Sequence, residues 1–191
     1  MDFKKNMVAG AVMALASVSA SAADMNAGVV HFTGSIIEPS CTIQGNSGVD
    51  NNVPLGTFMK STFDTVGKET ALTPFSITLA NCPLRSDGLQ SIQLTFTGTT
   101  ALTKTSTLLD VSKITSLGET AATGIGIAVS LAGQDTRLIT MDGAEGQIFI
   151  PLSGVPNDTV RADLNARYKS FSADVTPGPA DADMTVNILY R

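Results

Sequence analysis

Few residues in this chain could do covalent or metal chemistry. Cys41 and Cys82 stand 41 residues apart, accompanied by a single histidine, His31, two tyrosines and no tryptophan. Two thiols can join as a disulfide, stay free, or help to hold zinc. A zinc site needs further Cys or His ligands that His31 alone does not supply. The same scarcity removes most histidine-centred acid/base pairs and nucleophile triads. Asp181 and Asp183 could approach a cation, but a calcium loop needs more oxygen ligands at defined positions, so the pair reads as a solvated turn before the last strand. Gly124-Ile125-Gly126 lacks the third glycine and the following helix of a dinucleotide fingerprint and reads as a strand entry. Asn157-Asp158-Thr159 is a formal glycosylation sequon. His31 reads as a surface residue. Carboxylate-only catalysis such as glycoside hydrolysis would need two acids converging in a cleft, which sequence spacing does not establish. The expectation is a protein without catalytic residues, cofactor or metal.

Charge narrows the partners. Only 15% of the 191 residues are Asp, Glu, Lys or Arg, and the formal net charge is −5. Ordinary soluble domains carry about 25% charged residues. Twelve basic residues against 17 acidic ones, with no basic cluster, argue against nucleic-acid binding, which needs cations gathered against phosphates.

The first 22 residues read as a secretory signal. Lys4 and Lys5 precede a small apolar run from Met7 to Val18, and Ala20-Ser21-Ala22 supplies the small residues of a cleavage site. The run is too short for the roughly 20 residues that a membrane span requires. Removing it leaves 10 basic and 16 acidic residues, a net of −6. Export to an oxidising compartment favours joining Cys41 to Cys82.

The remaining chain alternates with the period of a β-strand. Ile92, Leu94 and Phe96 are separated by Gln93 and Thr95, and Ile125, Ile127, Val129 and Leu131 keep the same spacing. Further strands are expected over Val53 to Phe58, Phe75 to Leu79, Gln147 to Leu152, Arg161 to Phe171 and Met184 to Tyr190. Thr103 to Glu119 fits neither helical nor strand period. Turn-forming clusters, among them Ser86-Asp87-Gly88, Met141-Asp142-Gly143 and Thr176-Pro177-Gly178-Pro179, separate these segments. Many short strands at such spacing indicate a sandwich or barrel in one domain. At the two ends, Gly28, Val30, Phe32, Gly34 and Ile36 share one face of an extended segment, and Met184, Val186, Ile188 and Tyr190 alternate up to the last residue but one. Chain termini usually fray, so an apolar face that reaches the terminus calls for a partner.

With these residues in hand, the chain resembles the pilin subunits of chaperone–usher fimbriae, most of all the major rod subunit of type 1 fimbriae. The matching segments are Asn26 to Gly34, Cys41 seven residues later, Leu79-Ala80-Asn81-Cys82, Ala166-Arg167-Tyr168, Thr176-Pro177-Gly178 and the ending Tyr190-Arg191. The resemblance implies an all-β, incomplete immunoglobulin-like sandwich of six strands with one disulfide. Residues 1–22 would be the signal, 23–37 an N-terminal donor-strand extension, and 38–191 the pilin domain. The missing seventh strand would leave a groove filled first by a periplasmic chaperone and then, at an outer-membrane usher, by the extension of another subunit. Carried over, Val30, Phe32 and Ile36 would plug the groove, with Gly34 where its floor leaves no room for a side chain. Met184, Val186, Ile188 and Tyr190 would form the chaperone-recognition strand. Two departures stand out: Arg191 places a cation beside the terminal carboxylate and is expected to weaken that contact, and Leu189, on the nominally outer face, is read as packing under a loop. The implied function is a structural subunit of a surface fimbrium that supports adhesion. The alternative is a minor adaptor or a tip binding subunit of the same system.

Overall fold

The structure, a computed structural model, describes residues 28–32, 34, 36–38, 40–46, 48, 50–112, 114 and 118–191. The chain divides into two units, Met1–Thr33 and Gly34–Arg191, and the sheets belong to the second. The expected signal, 1–22, and residues 23–27 of the extension lie outside the described residues.

Eight strands build two sheets: β1 (Thr42–Gln44), β2 (Thr73–Ala80), β3 (Ser91–Gly98), β4 (Leu109–Asp110), β5 (Ile125–Leu131), β6 (Ile148–Pro151), β7 (Val160–Ser170) and β8 (Met184–Tyr190). One sheet has the order β1-β2-β7-β5-β4 and the other β6-β3-β8. Every strand pairing is antiparallel. The only helical element among the described residues is a short 3-10 turn, Lys60–Phe63, whose Phe63 enters the core. This is the all-β sandwich that the alternation predicted.

Alternation explains which side chains meet. On β3, Ile92, Leu94 and Phe96 are fully buried, and on β7, Val160, Ala162, Leu164 and Ala166 point inward between exposed Arg161 and Asp163. Together with Leu79, Val129 and Ile150 they form one core between the sheets. β5 is buried along nearly its whole length: at its end Ser130 Oγ and Asn165 Nδ2 both reach Asp135, and near its start Thr103, Leu108 and Leu109 lie against Gly126.

Three segments differ from the sequence reading. Val53 to Phe58 is not a strand; Pro54 lacks an N–H, Gly56 has φ +90°, and Leu55 packs on the core from an irregular segment. β1 was not anticipated, and it is short because Gly45 and Gly48 close a turn directly after it, with a 2.8 Å hydrogen bond. The ambiguous stretch holds only β4, since the Asp110 carboxylate accepts the N–H groups of Leu102 and Thr103, at 2.9 Å each, and folds the preceding residues into turns. These two short strands raise the count above the six expected.

Candidate functional site

In the three-stranded sheet, β6 and β8 are the edges and β3 is the centre. β3 lies between β6 and β8, and its inner residues have no exposure. β8 pairs only with β3 among the described residues, so its outer backbone edge carries N–H and C=O groups without a strand partner there. Its inward residues Met184, Val186, Ile188 and Tyr190 touch the core but are only partly buried, while Thr185 and Asn187 face solvent. The alternation predicted from sequence is present with the same bounds. Its completeness is not: the core ends half-covered along β8.

A disulfide joins Cys41 to Cys82 with 4.1 Å between their Cα atoms, fixing the start of β1 to the end of β2. The N–H of Cys41 donates to the Tyr190 hydroxyl at 3.0 Å, so the end of β8 is tied to the same place. At the terminus, Arg191 exchanges backbone hydrogen bonds with Ser91, and its guanidinium meets Glu145 at 2.5 Å with both side chains more than half exposed. The cation expected to crowd the terminal carboxylate is engaged by an acid from another loop.

The four groove-plugging candidates are placed as follows. Val30 is 75% exposed, Phe32 94% and Ile36 103%, and Gly34 is exposed as well. None of these belongs to a strand in this single chain. The chain thus carries an exposed apolar segment and an apolar strand whose outer edge has no strand partner among the described residues.

Sequence reading missed a row on the outer face of the same sheet. Gln93 lies opposite Phe149 on β6 and opposite Leu189 on β8. Gln93 is buried, Phe149 is 54% exposed, and the Gln93 Nε2 has no hydrogen-bond partner among the described residues. Leu189 therefore lies in a cross-strand row with Gln93 and Phe149. The out-of-phase apolar residues, Phe149 between Ile148 and Ile150 and Leu189 between Ile188 and Tyr190, were the available signal.

The outer face of the five-stranded sheet holds a charge cluster instead. Arg167 is buried and donates from Nε to Glu69 at 2.6 Å, from Nη1 to Ser130 and from Nη2 to the Asp135 carbonyl, while Lys169 reaches the other Glu69 oxygen at 2.7 Å. Burial pushes the Glu69 carboxyl up, but the Lys169 hydrogen bond and the charges of Arg167 and Lys169 outweigh it and hold the carboxyl below its ordinary range. An open cleft over this cluster is lined by groups that already satisfy one another. No group of three or more potential metal ligands occurs among the described residues, and no helix there is long and apolar enough to cross a membrane.

Known proteins are similar to this chain in architecture and sequence. The family model described as "Fimbrial protein" matches residues 30–191. A fimbrial subunit type 1 of Salmonella typhimurium is 32% identical over 164 residues, covering 86% of this chain and 83% of that protein. Among solved structures, the P pilus rod subunit PapA superposes with TM-score 0.60 at 25% identity, over 80% of this chain and 99% of that one. The CupB6 tip adhesin of Pseudomonas aeruginosa superposes with TM-score 0.59 at 24% identity, over 80% of this chain but 39% of its own, a likeness of fold. A sandwich with a disulfide and an open last strand, in a chain matched from residue 30 to its final residue, places the protein in the fimbrial protein family.

Proposed function

We propose that the chain is a structural subunit of a surface fimbrium that polymerises by strand exchange, with residues 23–37 given to one neighbour and the β8 edge filled by another. The observation that carries this reading is β8 itself: apolar inward residues left half-covered beside a backbone edge without a strand partner among the described residues. An exposed edge of this kind aggregates unless another strand covers it. The exposed Val30, Phe32 and Ile36 have the apolar character to cover it, and backbone pairing supplies the remaining affinity.

Before assembly the same edge needs a temporary partner. A periplasmic chaperone that lends a strand to β8, followed by exchange at an outer-membrane usher, meets that need. Met184, Val186, Ile188 and Tyr190 are then the residues it reads. Residues 1–22 serve as the export signal and 38–191 as the pilin domain. An adaptor or tip subunit would use the same edge; its scarcity in sheared surface material, against the abundance of a rod subunit, separates the roles.

The test is thermal unfolding of oxidised residues 38–191 with and without a peptide spanning Ala23 to Ile37. A large rise in Tm on adding peptide is the expected result, since a ligand that binds only the folded state stabilises it. An unchanged and high Tm would mean a self-sufficient domain and would overturn the reading.

A further inference from the structure

We infer that successive copies in the fibre also meet through their folded domains, with Leu84 and Arg85 at one pole of a copy seated in a cleft beside Leu102 and Asp174 at the opposite pole of the next. The inference rests on the strand-exchange reading and adds a second contact to it. Strand pairing defines the poles. β1 starts, and β2 and β8 end, at the first, where Cys41 is bonded to Cys82 and its N–H to Tyr190. β5 and β8 start at the second, beside the ends of β7 and β3. The exchanged segment ends at Ile37 and β1 begins at Thr42, a step of no more than about 18 Å. A donor's first pole is therefore held against the copy whose groove it fills. Each copy's first pole is occupied in this way, so the neighbour that fills its own groove sits at the second pole. Unlike poles then meet at every junction, a head-to-tail contact that extends without closing.

Both poles carry apolar side chains that the single chain leaves in water. Leu84, 47% exposed, follows Cys82 by two residues, and the Cα of Cys82 lies 4.1 Å from that of Cys41, so Leu84 stands next to the tether. The N–H of Arg85 donates to the Ser153 carbonyl at 2.9 Å and fixes this loop to the one that carries the exposed Val155. At the second pole Leu102 is 69% exposed, four residues beyond Gly98, which pairs with Met184 at the start of β8. Leu102 lines an open cleft together with Val111, Ala122, Ile125, Phe171 and Asp174, and the first three of these belong to the hydrophobic core. The buried Asp110 carboxylate accepts the Leu102 and Thr103 N–H groups at 2.9 Å each, which sets the turn that presents Leu102. Exposed apolar groups held in place beside a cleft mark an interaction surface.

Charge selects a second copy as the occupant. Arg85, adjacent to Leu84, and Asp174, at the cleft, are both exposed, and neither has an ion-pair partner among the described residues. Arg161, Arg167, Lys169 and Arg191, by contrast, are paired within the chain. Seating Leu84 against Leu102 and Phe171 brings the free cation of one copy to the free acid of the next. The contact then has an apolar centre and a polar rim of complementary sign, which is the anatomy of a specific interface.

Engineered cysteines in fibres of the full-length chain test the contact. After mild oxidation, Leu84→Cys with Leu102→Cys should give a covalent ladder on a non-reducing gel of boiled fibres, and Leu84→Cys with Phe149→Cys, on a sheet face, should not. Fibres with no ladder from the first pair, or with one from the second, would overturn the domain contact while leaving strand exchange intact. Covalent dimers from Leu84→Cys alone would show like poles meeting and would overturn it as well. Wild-type chains that form no fibres would overturn strand exchange and the contact with it. Charge reversal covers the case in which added thiols disturb assembly: Arg85→Asp and Asp174→Arg should each shorten the persistence length of the fibres in electron micrographs, and the two together should restore it. Singles without effect, or a double variant no stiffer than either, would overturn the pairing.

Discussion

The N–H of Cys41 donates to the hydroxyl of Tyr190 at 3.0 Å, across 149 residues of sequence. One hydrogen bond thus links the disulfide end of the five-stranded sheet to the end of β8. The phenol also contributes apolar surface to the half-open core. The penultimate residue therefore sets the position of the strand that the proposed exchange uses.

Tyr190→Phe keeps the ring and removes the acceptor from the Cys41 N–H. The expected loss is about 1 kcal/mol, read as a lower urea midpoint at unchanged m. Tyr190→Ser removes the ring as well and should lower subunit levels in the periplasm; levels equal to wild type would move the recognition role away from this residue.

Reduction of Cys41–Cys82 should cost more. A loop of 41 residues closed by a disulfide restricts the unfolded chain by about 4 kcal/mol in the chain-entropy model. Because the bond also fixes Cys41 beneath Tyr190, the double Cys→Ser variant should show a smaller Tyr190→Phe effect than the oxidised protein does. Equal effects in a double-mutant cycle would show that the two contacts act independently.

Acid should weaken the Arg167–Glu69–Lys169 cluster. The Glu69 carboxyl is held below its ordinary range, so its contribution is present above the unfolded value of about 4.3 and is lost as pH falls through the lower folded value. Glu69→Gln should lower Tm at pH 7, and the gap from wild type should close below about pH 4. A gap that stays constant with pH would assign the effect to packing.

Core and outer-face aromatics should respond differently. Phe96 has no exposure, and Phe96→Ala should cost about 3–5 kcal/mol of folding stability. Phe149 is 54% exposed, and Phe149→Ser in the unassembled subunit should change it by no more than about 0.5 kcal/mol. A large loss at Phe149 would show that the Gln93 row supports the monomer.

Much of the fold was legible because strand alternation is a local property. β2, β3, β5, β6, β7 and β8 were each marked by apolar residues at every second position, and β8 was bounded correctly at both ends. Val53 to Phe58 carried a similar pattern without becoming a strand, since alternation reports burial of side chains and not pairing of backbone. β1 and β4 were too short to leave any pattern, and they exist only because β2 and β5 offer edges to pair with.

The sequence by itself determined the all-β class, the apolar faces of both chain ends, and the family to which those faces point. Only the tertiary structure decided that Tyr190 meets Cys41, that Glu145 takes the Arg191 guanidinium, and that Gln93 is shut between Phe149 and Leu189. The physical reason is range. Periodicity arises from each residue's neighbours along one strand, whereas these contacts join segments 46 to 149 residues apart, and their partners follow from strand order and register. Register also made the openness of β8 visible: a strand with one neighbour among the described residues and a partly covered face looks, in sequence, like any other alternating strand.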